Sequence, residues 1–360
     1  MNAPPAIAPK VAEGAATGRT GRRLADVMTM LLVTGLSLLL LVYVGFGEAK
    51  RTYIEFHAQK LIAQGRIIEN TLAAFLRNGL PIRQFAGFST LADQFLESDD
   101  DISAIVVYDQ NGREVFRRID QKQPIELPAS VILPDLNVRE PVMQRAGPLY
   151  QVTLPLHSKF EAVGSVAIFS ETRMIDDRLE AAFRPLLYLV GVMSMLFAGF
   201  VAFAAGHAYR SRVPWLQIAY GVTFLLASAA VVATLVALYS EGAQGRVRAL
   251  ANTLGQRLND ISAFALDLQS IDGLDRTLAE VRRLNPDIKE AGLILGDQVR
   301  LHTAPGRVGK PWQSDPATFE YVVDLGVSEQ GKALSVAVST PKEIVYRAVF
   351  RSVKNFAALF

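Results

Sequence analysis

The sequence predicts an α+β protein built into a membrane, with two antiparallel-sheet domains that are each entered by a long helix and joined to transmembrane α-helices. Three observations carry this. Three charge-free apolar stretches are each long enough to cross a bilayer. Apolar residues spaced by three and four follow the first and third of them, which marks one long amphipathic helix in each case. Alternating strands then recur in the same order in both remaining segments.

Composition bounds the function. A chain of 360 residues exceeds one ordinary core, and 50% hydrophobic against 20% charged residues, with mean hydropathy +0.23, places an apolar excess in it. The net charge of +2 gives no field that would draw the chain to nucleic acid. Cysteine is absent, which excludes disulfides, thiolate metal sites and thiol nucleophiles.

Residues 1–26 read as a disordered cytoplasmic tail, because the first 21 are rich in Ala, Pro and Gly. Val27–Phe46 follows as transmembrane helix 1; it is longer than a signal-peptide core and no clean cleavage site succeeds it. Residues 186–206 and 213–239 form a membrane hairpin, transmembrane helices 2 and 3, around a short loop at 207–212. Short positive flanks stay in the cytoplasm, and Lys10, Arg19, Arg22, Arg23, Arg210 and Arg212 occupy them here. The tail and the loop are therefore expected inside, and segments 47–185 and 240–354 outside on one face. Arg347, Arg351 and Lys354 oppose this assignment without reversing it. No ionisable residue interrupts the spans, so a proton or ion path through them has no basis in the sequence. Small residues every four positions, Ala198, Ala202 and Gly206 in one helix and Ala229, Ala233 and Ala237 in the next, suit close helix packing.

The two outer segments repeat one another. Ile54, Ala58, Leu61, Gly65, Ile68, Leu72 and Phe75 make the helical seam of the first; Val247, Ala251, Leu254, Leu258, Ile261 and Ala265 make that of the second. Thr90-Leu91-Ala92-Asp93 matches Thr277-Leu278-Ala279-Glu280, and Asp101-Ile102 matches Asp287-Ile288. Strand-like runs follow at 102–108 and 291–295. In the first copy Asp109-Gln110-Asn111-Gly112-Arg113 supplies hairpin-turn chemistry. The closing hairpins at 150–169 and 321–339 stand 171 positions apart against 187 for the earlier match, so the second copy is 16 residues shorter between its hairpins. Alternating strands need a cover on one face, and the long helix is the available one.

The long helix leaving the membrane, the strand ending in Asp109, Asn111, Gly112 and Arg113, and the hairpin returning to a membrane helix resemble the extracytoplasmic PAS-like (Cache or PDC) sensing domains of bacterial receptors. The likeness covers roughly two thirds of the chain. It implies two PAS-like domains outside a bacterial inner membrane, but the family's motifs for amino acids or carboxylates are absent, so no ligand class transfers.

No catalytic equipment accompanies this. His57, His157, His207 and His302 lack metal-ligand spacing, and there is no nucleophile elbow, phosphate loop or dinucleotide fingerprint. The expectation is no enzyme, no metal and no cofactor. The acidic run Glu97, Asp99, Asp100 and Asp101 lacks the pattern of a calcium loop and reads as a solvated helix end. Ligand contacts are sought among polar and aromatic residues of the strands and the segments crossing them: Tyr108, Arg117, Tyr150 and His157 in the first copy, Arg300, His302, Trp312 and Tyr321 in the second. For each, an ordinary surface or core role is the competing reading.

The reading that follows is a sensory input region that binds a small molecule or a periplasmic protein, sits in the lipid bilayer, and forms a homodimer in one version. The alternative is a regulatory or scaffolding part of a transporter or assembly. Residues 355–360 resemble the start of a fourth membrane helix, and the repeat predicts its continuation past Phe360.

Overall fold

The computed structural model describes residues 14–122, 124–127, 140–158, 161–206, 213–264, 278–279, 281–283, 285–327 and 332–357. It is α+β, with two antiparallel sheets and long helices. The chain divides into two compact units: 1–48, 180–235 and 356–360 make the first, and 49–179 with 236–355 make the second.

Helix α1 (Gly14–Arg77) contains the first apolar stretch and continues without a break into the first sheet domain. Residues 14–26 are thus helical, where a disordered tail was expected; residues 1–13 lie outside the described ones. The difference has a simple cause. Once the apolar span nucleates a helix, extending it over Ala-Ala-Thr-Gly-Arg costs little per residue. Helices α3 (Thr172–Gly206) and α4 (Val213–Phe264) follow the same plan, each joining an apolar stretch to a polar one. All three are long and apolar enough to cross a membrane. The hairpin loop 207–212 lies outside the described residues.

In the first unit Leu38 and Val42 of α1, Val190, Phe197 and Val201 of α3, and Ala227, Val231 and Leu235 of α4 are buried. Phe46 meets Phe183 edge to face at 5.3 Å. Leu32, Leu36, Met195, Leu196 and Leu225 turn outward, the pattern of helices whose outer surface is matched to lipid.

The second unit holds both sheets. After the helix α2 (Phe88–Ser98), strands β1 (Ala104–Asp109), β2 (Glu114–Ile119), β3 (Val142–Ala146), β4 (Leu149–His157) and β5 (Ala162–Glu171) form a sheet in the order β2-β1-β5-β4-β3. The β1–β2 turn is the one that Asp109 to Arg113 promised. Gly112 takes φ 75°, and Asp109 Oδ1 accepts from the N–H groups of Asn111 and Arg113 at 2.9 Å. One face of the sheet buries Ile105, Val107, Val152, Leu154, Val166 and Ile168 under Leu61, Ile68 and Leu72 of α1 and Phe88, Ala92 and Phe95 of α2. The helical seam is therefore the cover that the alternating strands required.

Strands β6 (Glu290–Leu295), β7 (Gln298–His302), β8 (Thr318–Val327) and β9 (Ala333–Pro341) form a second sheet in the order β7-β6-β9-β8, followed by α5 (Glu343–Ala357). This is the first order without its fifth strand. In the first sheet β3 covers the outer edge of β4, pairing Val142 with Thr153 through to Ala146 with Leu149. Among the described residues no strand pairs with that edge of β8. The 16-residue shortening falls between β7 and β8, in the interval where β3 would lie.

Candidate functional site

The polar centre of the second unit grows from one stripe of α1. Tyr53, His57, Lys60 and Gln64 recur at spacings of four, three and four, so they share a helix face beside the apolar seam. Facing them is the acidic run between α2 and β1. Asp99 ends α2, its N–H donating to the Phe95 carbonyl at 3.1 Å, and the Asp101 N–H donates to Asp99 Oδ1 at 3.1 Å. This local turn aims both carboxylates at α1.

Lys60 Nζ donates to Asp99 Oδ1 and Asp101 Oδ2, each at 2.6 Å, and Gln64 Nε2 donates to Asp99 Oδ2 at 2.8 Å. Arg178, at the polar start of α3, closes the arrangement from a third side. Its Nη2 donates to Asp101 Oδ1 at 2.7 Å, and its Nη1 reaches Asp101 Oδ2 at 3.3 Å and the Tyr53 hydroxyl at 3.1 Å. His57 stands behind, with Nε2 2.8 Å from Ser170 Oγ and Nδ1 3.9 Å from Asp101. Lys50 and Asp176 form a further α1–α3 ion pair at 2.7 Å. Asp101 thus clamps the helix that enters the domain to the helix that leaves it.

Burial sets the charge states. It would raise the Asp101 carboxyl, but Lys60, Arg178 and His57 overcome it and hold the group at about 2. Burial likewise opposes the Lys60 ammonium, yet the two carboxylates raise it above the usual lysine range. His57 goes the other way: burial lowers it to about 4 despite Asp101, so it is neutral at pH 7. The native state therefore binds fewer protons at His57 than the unfolded chain between pH 6.5 and about 4, and stability falls as pH drops through that window. The loss is expected to approach about 3 kcal/mol at its acid end, with Asp101 taking over between 3.8 and about 2. Thermal melts of the detergent-solubilised protein from pH 7 to 4.5 check this; His57→Gln should flatten the slope, and an unchanged slope would remove His57 as its cause.

The acidic run is where sequence reasoning misses most. It reads as a solvated helix end, but Asp99 and Asp101 are 7% and 4% exposed; only Glu97 and Asp100 face solvent. Two cations from outside the run neutralise the buried pair, and neither is adjacent to it in sequence. The polar stripe on α1 was the available signal. A second signal lies in the repeat: Arg246 pairs with Asp287, and these stand 186 positions beyond Lys60 and Asp101. Tyr53 and Tyr239, also 186 apart, are both buried, and each hydroxyl bonds the helix that leaves its own sheet, to Arg178 of α3 and to Ser352 of α5 at 3.1 Å.

The candidate ligand contacts are mostly dispersed. Tyr108 is buried on the sheet face away from α1, with Ala104, Val106 and Phe169, and burial together with Glu114 pushes its phenol up to about 12. Arg117 is exposed on β2 and pairs with Glu114. Tyr150 is buried in β4 opposite Arg145 and Ser170, and His157 ends β4 at an irregularity of register. Arg300 is exposed on β7. His302 and Trp312 do meet, their rings 5.5 Å apart, while Trp312 Nε1 donates to Glu320 Oε1 at 2.6 Å. Tyr321 lies under Arg248 at 5.4 Å and lines a cleft of about 970 Å³ together with Lys60, Asp101, Arg178 and residues of β8. The clamp is one wall of that cleft. No protein-family model and no curated protein sequence matches the chain.

Proposed function

We propose that the chain is the sensory input region of a bacterial inner-membrane protein, with two PAS-like domains outside the cytoplasm whose binding events move the attached membrane helices. The observation that carries the reading is the Asp101 clamp, because α1 and α3 each run on into an apolar stretch and a change in the first sheet domain reaches both helices through one buried carboxylate. Coupling needs an element with two arrangements that ligand can bias. A buried ion network fits that need, since its energy depends steeply on geometry. The sheet order β2-β1-β5-β4-β3, and the second sheet's repetition of it without one strand, support the PAS-like and duplicated reading.

The test uses the absence of native cysteine. Lys50→Cys with Asp176→Cys replaces the α1–α3 ion pair by a reporter of helix spacing. Small solutes are screened for a rise in melting temperature of the bilayer-reconstituted protein, and each hit is scored for disulfide formation rate. A several-fold rate change on binding is expected; hits that bind and leave the rate unchanged would sink the coupling.

Topology is tested separately. Lys122→Cys and Lys332→Cys are both expected to react with an impermeant thiol reagent in cells with a permeabilised outer membrane, because the short positive flanks set one side for both segments. Labelling of either one only after lysis would overturn the orientation.

A further inference from the structure

Among the described residues strand β8 is an edge, and the parity of its hydrogen bonds says which of its groups turn outward. The Lys342 N–H donates to the Ala317 carbonyl, one step beyond the Thr318–Pro341 pair, so odd-numbered residues of β8 bond to β9. Glu320 and Val322 then turn N–H and C=O away from the sheet. Thr318, Phe319, Glu320, Tyr321 and Val323 all line the 970 Å³ cleft. Neighbouring strand residues point to opposite faces, so only an edge can present all of them to one space. In the first sheet the equivalent edge, around Tyr150, is paired to β3.

We infer that this cleft takes an extended, basic segment of a partner protein, which adds to β8 as the strand that the second sheet lacks. An unpaired edge in a cleft is the geometry of strand addition. The stretch from Thr318 to Val323, of which all but Val322 line the cleft, spans about 20 Å, room for a partner segment of five or six residues. Charge selects its sign. The lining holds six carboxylates and four cations. Lys60 and Arg178 are committed to Asp99 and Asp101; Lys342, bonded to the Pro316 carbonyl at 2.7 Å, and Arg248, over the Tyr321 ring, keep their charge, so four carboxylates remain against two cations. Glu97 and Glu241 are exposed, and neither has a cation paired to it among the described residues. The cleft also borders Lys60, Asp101 and Arg178, so an added strand would sit against the clamp.

The inference rests on the reading of this unit as an input region for its consequence, though not for the binding itself, and the two are measured apart. The full chain in detergent is titrated with fluorescein-labelled Lys-Val-Lys-Val-Lys-Val, with the Glu-Val counterpart, and with two N-methylated forms blocked at the lysines or at the valines. The basic peptide is expected to bind, the acidic one at least about 10-fold more weakly, and one methylated form about 10-fold more weakly than the other, since a strand pairs along one edge only. Val322→Pro removes an outward N–H without touching the β9 ladder and should abolish binding; if that variant does not fold, the methylated pair decides. Equal binding by both methylated forms, equal binding of the acidic peptide, or no binding to about 1 mM would overturn the inference. So would a dimer that Val322→Pro makes monomeric, because a second copy would then own the edge. Peptide binding that leaves the disulfide rate of the Lys50→Cys, Asp176→Cys protein unchanged supports the strand site and counts against the input reading alone.

Discussion

Asp101→Ala is expected to destabilise the protein by about 3 kcal/mol and to slow disulfide formation between cysteines at positions 50 and 176 several-fold. Removing one member of a buried ion network costs about 3–5 kcal/mol, because the remaining charges stay buried without a partner. The lower end applies here. Lys60 keeps Asp99 at 2.6 Å, and Arg178, with its side chain 41% exposed, recovers part of its hydration. A loss of that size lowers the melting temperature by roughly 6–12 °C for a unit of this length. Asp101→Asn keeps the shape and one acceptor oxygen but loses the charge and the second oxygen, so it should fall between wild type and Ala. The cross-linking readout separates a joint from a mere core position, since α3 is held to the polar part of α1 mainly through Asp101, Tyr53 and the Lys50–Asp176 pair that the cysteines replace. An Asp101→Ala protein that melts early yet cross-links at the wild-type rate would leave Asp101 as a stabilising group only.

The parts of this molecule that sequence reveals are those whose signal is local. Apolar length marks Val27–Phe46 and the hairpin, the three-and-four spacing of Leu61, Gly65, Ile68 and Leu72 marks the covering helix, and Asn111-Gly112 marks the first hairpin. The clamp has no local signal. Lys60 is 39 and 41 positions from its two carboxylates, and Arg178 is 77 from Asp101. Seen one at a time, a lysine on a helix and an acidic run at a helix end are solvated surface features. Only the repeat exposes them, through Arg246 and Asp287 at the same separation; the match of Asp287 to Asp101 is legible in the sequence, but the pairing of Arg246 with Asp287 is not. The open edge of β8 is intermediate. The shortened interval is countable in the sequence, but that the missing residues include β3 follows from the strand order.

The second large effect is expected at Gly164, where Ala should cost about 3 kcal/mol without disturbing the clamp. Gly164 sits in β5 between Asp109 of β1 and Leu156 of β4. A Cβ there would lie 2.1 Å from the Tyr108 carbonyl oxygen and 3.3 Å from the Asp109 Cα. Both are backbone atoms, and β1 cannot retreat without breaking its ladder to β5 or to β2, so the added methyl acts as overpacking with no relief. Gly65→Ala makes the useful contrast. Its Cβ would meet Leu154 Cδ1 at 2.4 Å and Ile168 Cδ1 at 3.0 Å, but those are methyl ends that can rotate, and alanine favours the helix by about 1 kcal/mol over glycine. The expected order of melting temperatures is therefore wild type, Gly65→Ala, then Gly164→Ala lowest. Gly164 faces the far end of β1 from Ala104, the end next to the clamp. Cysteines at positions 50 and 176 should then cross-link at the wild-type rate in folded Gly164→Ala protein, below its melting temperature. A loss of rate there equal to that of Asp101→Ala would mean that any weakening of the first sheet loosens the helices, and Asp101 would have no special claim as the joint.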